Sequence, residues 1–90
     1  MNPAPLSIAE QIHLRLAEKL QTTQLEVIDE SHLHAGHVGA SPTGSGSHLR
    51  VKIASPLFTT ASRVQRHRLV YDSVQDFIDQ GLHALAIEVI

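Results

Sequence analysis

His32, His34 and His37 crowd into six residues, and His13, His48, His67 and His83 bring the total to seven in a 90-residue chain without cysteine. The missing thiol excludes disulfides, thiol redox catalysis and any thiolate ligand supplied by this chain. A metal centre here has to be built from imidazole or carboxylate, or borrow sulfur from a partner. Neutral imidazole is the ligating form, so ligation should weaken as the pH falls through the unperturbed histidine value of about 6.5. Histidine-rich loops also take up zinc or copper on their own, which gives His32, His34 and His37 a second possible use. The plainer alternative for these three is a set of solvated loop histidines that contact nothing. Asp29, Ser31 and His32 stand close in the chain, but adjacency does not make a triad, and no nucleophile, base and orienting group stand out elsewhere. No enzymatic activity is expected.

Charge is the second feature with chemical content. The net charge is −2, yet all nine acids lie at or before Glu30 or at or after Asp72. Between Ser31 and Tyr71 there are five basic residues, Arg50, Lys52, Arg63, Arg66 and Arg68, and no acid. Arg63, Arg66, His67 and Arg68 fall on one candidate helix and could meet phosphates or an acidic protein surface. A solvated strand and helix face is the plainer reading. The net acidity and the presence of only three aromatic residues argue against a dedicated nucleic-acid binder.

The elements that would position these groups follow from periodicity. Ser7 and Glu10 form a capping box, and Ile8, Ile12, Leu16 and Leu20 follow at a spacing of four, so a helix is expected until the Thr22-Thr23 pair. Leu25–Asp29 is β-prone. The stretch from Ser31 to Ser47, rich in Gly, Ser and His, is a long loop. From His48 to Ala54, Leu49, Val51 and Ile53 alternate with Arg50 and Lys52, predicting a strand that pairs with the first as a hairpin and stops at Pro56. Ser62 can cap a second helix with an apolar face of Val70, Val74, Phe77 and Ile78, ending at Gly81. Ala84 to Ile90 alternates again as a third strand. The order is α-β-β-α-β, an α+β two-layer sandwich in which helices cover a three-stranded sheet, in one domain over residues 1–90. No apolar run approaches the length of about 20 residues needed to span a bilayer. The N-terminus has no secretion signal pattern, so no membrane partner and a cytoplasmic location are expected.

Four segments then fall into one recognisable order: Asp29-Glu30-Ser31-His32 with His34-Ala35-Gly36-His37; Ser47-His48; Ser62 through Tyr71; and His83-Ala84-Leu85-Ala86-Ile87. Together they resemble the BolA family over most of the chain from Leu25 to Ile87. One departure is Phe58-Thr59-Thr60-Ala61, where many relatives carry a glycine. The resemblance implies a fold like a class II KH domain. It also implies a heterodimer with a monothiol glutaredoxin that shares a [2Fe-2S] cluster, for cluster trafficking or for iron or redox sensing. In that arrangement the partner's cysteine and a bound glutathione supply sulfur, and this chain supplies imidazoles; alone it would carry no cofactor. Carried over by motif, His83 is the last-strand ligand and His34 the loop ligand, with His37 as runner-up and His32 behind it. Replacing thiolates with neutral imidazoles makes such a cluster less negative and raises its potential. On pattern alone, His83 has a plainer reading as a half-buried core histidine, because it shares parity with Leu85, Ile87 and Val89. Some BolA proteins are described as transcription regulators, so the resemblance also allows a DNA-binding regulator that uses the basic helix face.

Overall fold

The computed structural model describes residues 6–31 and 48–90. Helix α1 spans Ile8–Leu20, strand β1 Gln24–Asp29 and strand β2 His48–Ala54. A 3-10 turn at Pro56–Phe58 leads to helices α2 (Arg63–Ser73) and α3 (Gln75–Asp79), and strand β3 (Ala84–Val89) completes the order. Among the described residues, no helix is long and apolar enough to cross a membrane.

The starts of α1 and α2 follow from their caps. The Ser7 hydroxyl accepts the Glu10 N–H at 3.1 Å, and the Glu10 carboxylate accepts the Ser7 N–H at 3.2 Å. Ser62 and Gln65 repeat the exchange at 3.1 and 2.8 Å. Each pair satisfies N–H groups that the first helical turn leaves without partners. Helix α1 ends before the threonine pair, at Gln21, which takes a left-handed conformation with φ 49°. The Ser55 hydroxyl donates to the Leu20 carbonyl there, so an orphaned helix-end acceptor is met from the far end of β2.

The apolar stripe of α1 lands where its spacing predicts: Ile12, Leu16 and Leu20 are buried. They meet Leu49, Val51 and Ile53 of β2, with Val70, Val74 and Phe77 from the other helices. The sheet order is β1-β2-β3. Strands β1 and β2 pair antiparallel, as the expected hairpin requires, with Val27 opposite Val51. Strands β2 and β3 pair parallel, with His48 opposite Ala84 and Leu49 opposite Leu85. Arg50 lies on the opposite face of β2 from this core, bound to Glu30 at 3.0 Å and to Glu88 at 3.6 Å. Its guanidinium is held in the charged form, first by the hydrogen bond to Glu30.

The expected single helix from Ser62 to Gly81 is instead two, broken at Val74. The Ser73 hydroxyl donates back to the Leu69 carbonyl at 2.7 Å, while the Ser73 carbonyl accepts from Arg15 of α1 at 3.1 Å. The Phe77 N–H bonds the Val74 carbonyl rather than that of Ser73. Arg15 thus holds a carbonyl that an unbroken helix would have used. The apolar period survives because Val74, at the break, still points inward and is fully buried.

The same arginine grips Asp76 through both carboxylate oxygens, at 2.7 and 3.1 Å, and sits 5.0 Å from the Phe77 ring centroid. The hydrogen bond from Arg15 is the main cause that lowers the Asp76 carboxyl below its ordinary value of 3.8. A depressed folded value means that the pair's contribution is present in full above the unfolded value and is lost as the pH falls towards the folded one. Asp76→Asn should therefore lower the melting temperature near pH 7 and narrow the difference in melting temperature between about pH 7 and about pH 3. An unchanged difference in thermal unfolding would contradict this assignment.

Candidate functional site

Two local devices bring His83 and His48 together. The first is the end of α3. The N–H of Gly81 bonds the Ile78 carbonyl at 3.2 Å, and the N–H of Leu82 bonds the Phe77 carbonyl at 3.1 Å. This is the paired closure of a Schellman motif, and its turning residue needs positive φ. Gly81 supplies it at φ 124°. The turn drives Leu82 into the core at 5% exposure and leaves His83 exposed at the head of β3. The core alternative for His83 is thereby overturned: strand parity does not apply to a residue that precedes the strand.

The second device is Ser31, whose side chain is fully buried. Its hydroxyl accepts the His48 N–H at 3.0 Å and donates to the His48 carbonyl at 3.4 Å. The His48 carbonyl also accepts the Glu30 N–H at 2.8 Å. Ser31 is itself held by the Asp29 carboxylate, which accepts its N–H at 2.9 Å. The Asp29-Glu30-Ser31 run is therefore a clamp on the first residue of β2. His48 is only 9% exposed, although it shares strand parity with Arg50 and Lys52.

With both strand heads fixed, parallel pairing sets His83 next to His48 across the sheet. Their ring centroids are 5.2 Å apart and their planes are tilted by 54°. His83 makes no hydrogen bond or ion pair among the described residues. No group of three His, Cys, Asp or Glu side chains able to hold a metal ion occurs among them either. His34 and His37, the expected loop ligands, lie outside the described residues, as does His32. Of the expected ligand set, only His83 is among the described residues, and His48, which the sequence suggested only as a strand head, stands beside it.

The expected basic set divides. Arg63, Arg66 and His67 line a groove of about 440 Å³ against Ile87, Glu88 and Val89 of β3. Arg68 is on a different concavity, with Thr60, Gln65 and Asp72. Arg66 is also structural, since its Nε donates to the Phe58 and Ala61 carbonyls, both at 3.0 Å, and braces the turn into α2. His13 is exposed, in a shallow apolar groove between α1 and β1.

The described residues form a mixed α+β domain with a three-stranded sheet, a helical layer and a histidine at the head of the last strand. Comparison with known proteins identifies which kind. The family model for BolA-like proteins matches residues 16–90, and the chain belongs to the BolA family. It is 48% identical over 84 residues to a Sinorhizobium sp. protein encoded in the cobS 5′ region, covering 92% of this chain and 89% of that one. It is 35% identical over 82 residues to the DNA-binding transcriptional regulator BolA of Escherichia coli, covering 91% and 73%. Among solved structures, the BolA domain of SufE1 from Arabidopsis thaliana superposes with a TM-score of 0.81 at 38% identity, covering 96% of this chain and 93% of that one.

The clamp is directly testable. Ser31→Ala leaves the buried His48 N–H without its side-chain acceptor, and urea unfolding should show a loss of about 1–3 kcal/mol. The chemical shifts of the His48 and His83 rings should move with it; unmoved rings and unchanged stability would remove Ser31 from the site.

Proposed function

We propose that this protein is a non-catalytic partner of a monothiol glutaredoxin, and that the two share a [2Fe-2S] cluster for trafficking of clusters or for sensing of iron or redox state. The observation that carries the reading is His83. It is an exposed imidazole at the head of an edge strand, in a chain of a family whose last-strand motif it opens. The donor chemistry fits. A [2Fe-2S] cluster takes four ligands, commonly thiolates. This chain has none to give, so the sulfur has to come from the glutaredoxin cysteine and glutathione. His83 would be one imidazole ligand, with His34 as the loop ligand and His37 as its alternative. Bound by two imidazoles, such a cluster would have a higher potential than an all-thiolate one. The Gly81 turn and the buried Leu82 set the position of the His83 backbone at the head of β3.

Reconstitution of the full chain with a monothiol glutaredoxin, glutathione, iron and sulfide tests this. The expected result is a coloured 1:1 heterodimer on size exclusion, with a visible circular dichroism spectrum altered by His83→Ala and by His34→Ala or His37→Ala. A colourless mixture, or a spectrum indifferent to all three histidines, would overturn the proposal.

A second reading rests on the name of the Escherichia coli relative and on the groove that holds Arg63, Arg66 and His67. In this reading the chain binds DNA through phosphate contacts. Affinity for duplex DNA should then fall steeply with salt, by about 0.9 in the log–log slope for each phosphate neutralised. Arg63→Ala should weaken all sequences alike; it is a cleaner probe than Arg66→Ala, because Arg66 braces a turn. Binding that ignores salt would eliminate phosphate contacts.

A further inference from the structure

We propose that the outer edge of β3 takes an extended acidic peptide as a further strand, laid between that edge and helix α2. The order β1-β2-β3 leaves β3 at a margin of the sheet, and among the described residues no strand pairs with its outer edge. The Ile90 N–H bonds the Ile53 carbonyl of β2 at 2.9 Å. In a parallel ladder with Val89 opposite Ile53, that bond directs the N–H and C=O of Ala86 and Glu88 towards β2, and those of Leu85, Ile87 and Val89 outwards. The Leu85 carbonyl agrees with this direction, since it accepts the Tyr71 hydroxyl of α2 at 2.7 Å. The N–H and C=O of Ile87 and Val89 are left along the edge with no partner among the described residues. A row of unpaired backbone donors and acceptors is a template for another strand.

Helix α2 supplies the second wall and the charge. Arg63, His67 and Tyr71 recur at a spacing of four and share one face of the helix, with Arg66 beside them. Tyr71 ties that face to the start of β3, and Arg63, Arg66 and His67 line the groove against Ile87, Glu88 and Val89 further along. The Ile87 and Val89 side chains pack against the core and give the groove an apolar floor. The Glu88 side chain alternates to the opposite face of the sheet, where its carboxylate meets Arg50 at 3.6 Å, so it does not cancel the basic wall. An added strand would find a backbone ladder on one side and cations beneath it. Its side chains alternate between the faces, so acids at every second position would face α2 and clear Glu88. The edge suits a peptide better than a nucleic acid. Phosphates accept hydrogen bonds but donate none, and would leave the Ile87 and Val89 carbonyls unmet. Strand addition uses the groove that the second reading gives to DNA, and it is independent of cluster sharing.

The experiment is fluorescence anisotropy of the full chain with a labelled synthetic hexapeptide of alternating glutamate and threonine, without glutaredoxin or iron. Two control peptides accompany it: one with lysine in place of glutamate, and one N-methylated at every backbone nitrogen. The glutamate peptide is expected to bind one to one. Both controls should bind about tenfold more weakly or worse, because one loses charge complementarity and the other its ladder donors. Arg63→Glu, at an exposed position, should weaken the glutamate peptide about fivefold or more. A second measurement on wild type covers the case in which this variant disturbs α2: the peptide should shift the Ile87 and Val89 amide resonances and slow their hydrogen exchange. Three results would overturn the proposal: no binding of the glutamate peptide, equal binding of the N-methylated copy, or unmoved Ile87 and Val89 amides. A short DNA duplex that binds through Arg63 where the peptide does not would make the groove a phosphate site and overturn it equally. Retained peptide binding beside a colourless glutaredoxin mixture would leave strand addition standing and remove only cluster sharing.

Discussion

The parallel pairing of β2 with β3 is the constraint on which the rest of this structure depends. A parallel neighbour cannot be reached by a tight turn; the chain has to cross the sheet and return, and that crossing is what α2 and α3 provide. The crossing buries Val70, Val74 and Phe77 against the face of the sheet that α1 covers from its own side. It also decides which ends of the strands meet. In an antiparallel sheet the head of β3 would lie beside the tail of β2. Here the two heads coincide, with His48 opposite Ala84, and His83 follows at their margin. Tyr71 ties the crossing helix to the strand it delivers, its hydroxyl donating to the Leu85 carbonyl at 2.7 Å.

The site is a consequence of how the elements end. Helix α3 stops in a motif that needs a glycine, and the strand begins shortly after it. Strand β2 begins against a buried serine that satisfies both backbone groups of its first residue. Buried polar backbone groups without partners cost free energy comparable to a lost hydrogen bond, so these closures are energetic necessities as well as positioning devices. The same necessity is met at Arg66 and Arg15. Both are charged side chains that donate to main-chain carbonyls, one at a turn and the other at a helix break.

Membership of the BolA family agrees with the architecture and bears on function at a coarser level than the site does. The family contains a protein named as a DNA-binding transcriptional regulator and a domain carried within SufE1. Fold does not choose between such roles; side chains do. In this chain the two candidate sites are the His48–His83 pair and the groove of Arg63, Arg66 and His67. The two lie at different places along the edge strand β3, so a partner at one need not exclude a partner at the other.

The amino-acid sequence by itself determined where helix and strand segments fall, their order and the starts of α1 and α2. These depend on local periodicity and on caps three residues apart, which no distant contact has to supply. It also determined that any metal ligand supplied by a side chain of this protein must be imidazole or carboxylate, because no thiol is present. Three features were decided only in the tertiary structure. The break at Val74 depends on Arg15, 58 residues from the carbonyl it holds. The exposure of His83 depends on a glycine turn that takes it out of strand parity. The meeting of His48 with His83 depends on strand direction, and alternation with a period of two is the same whichever way a neighbouring strand runs.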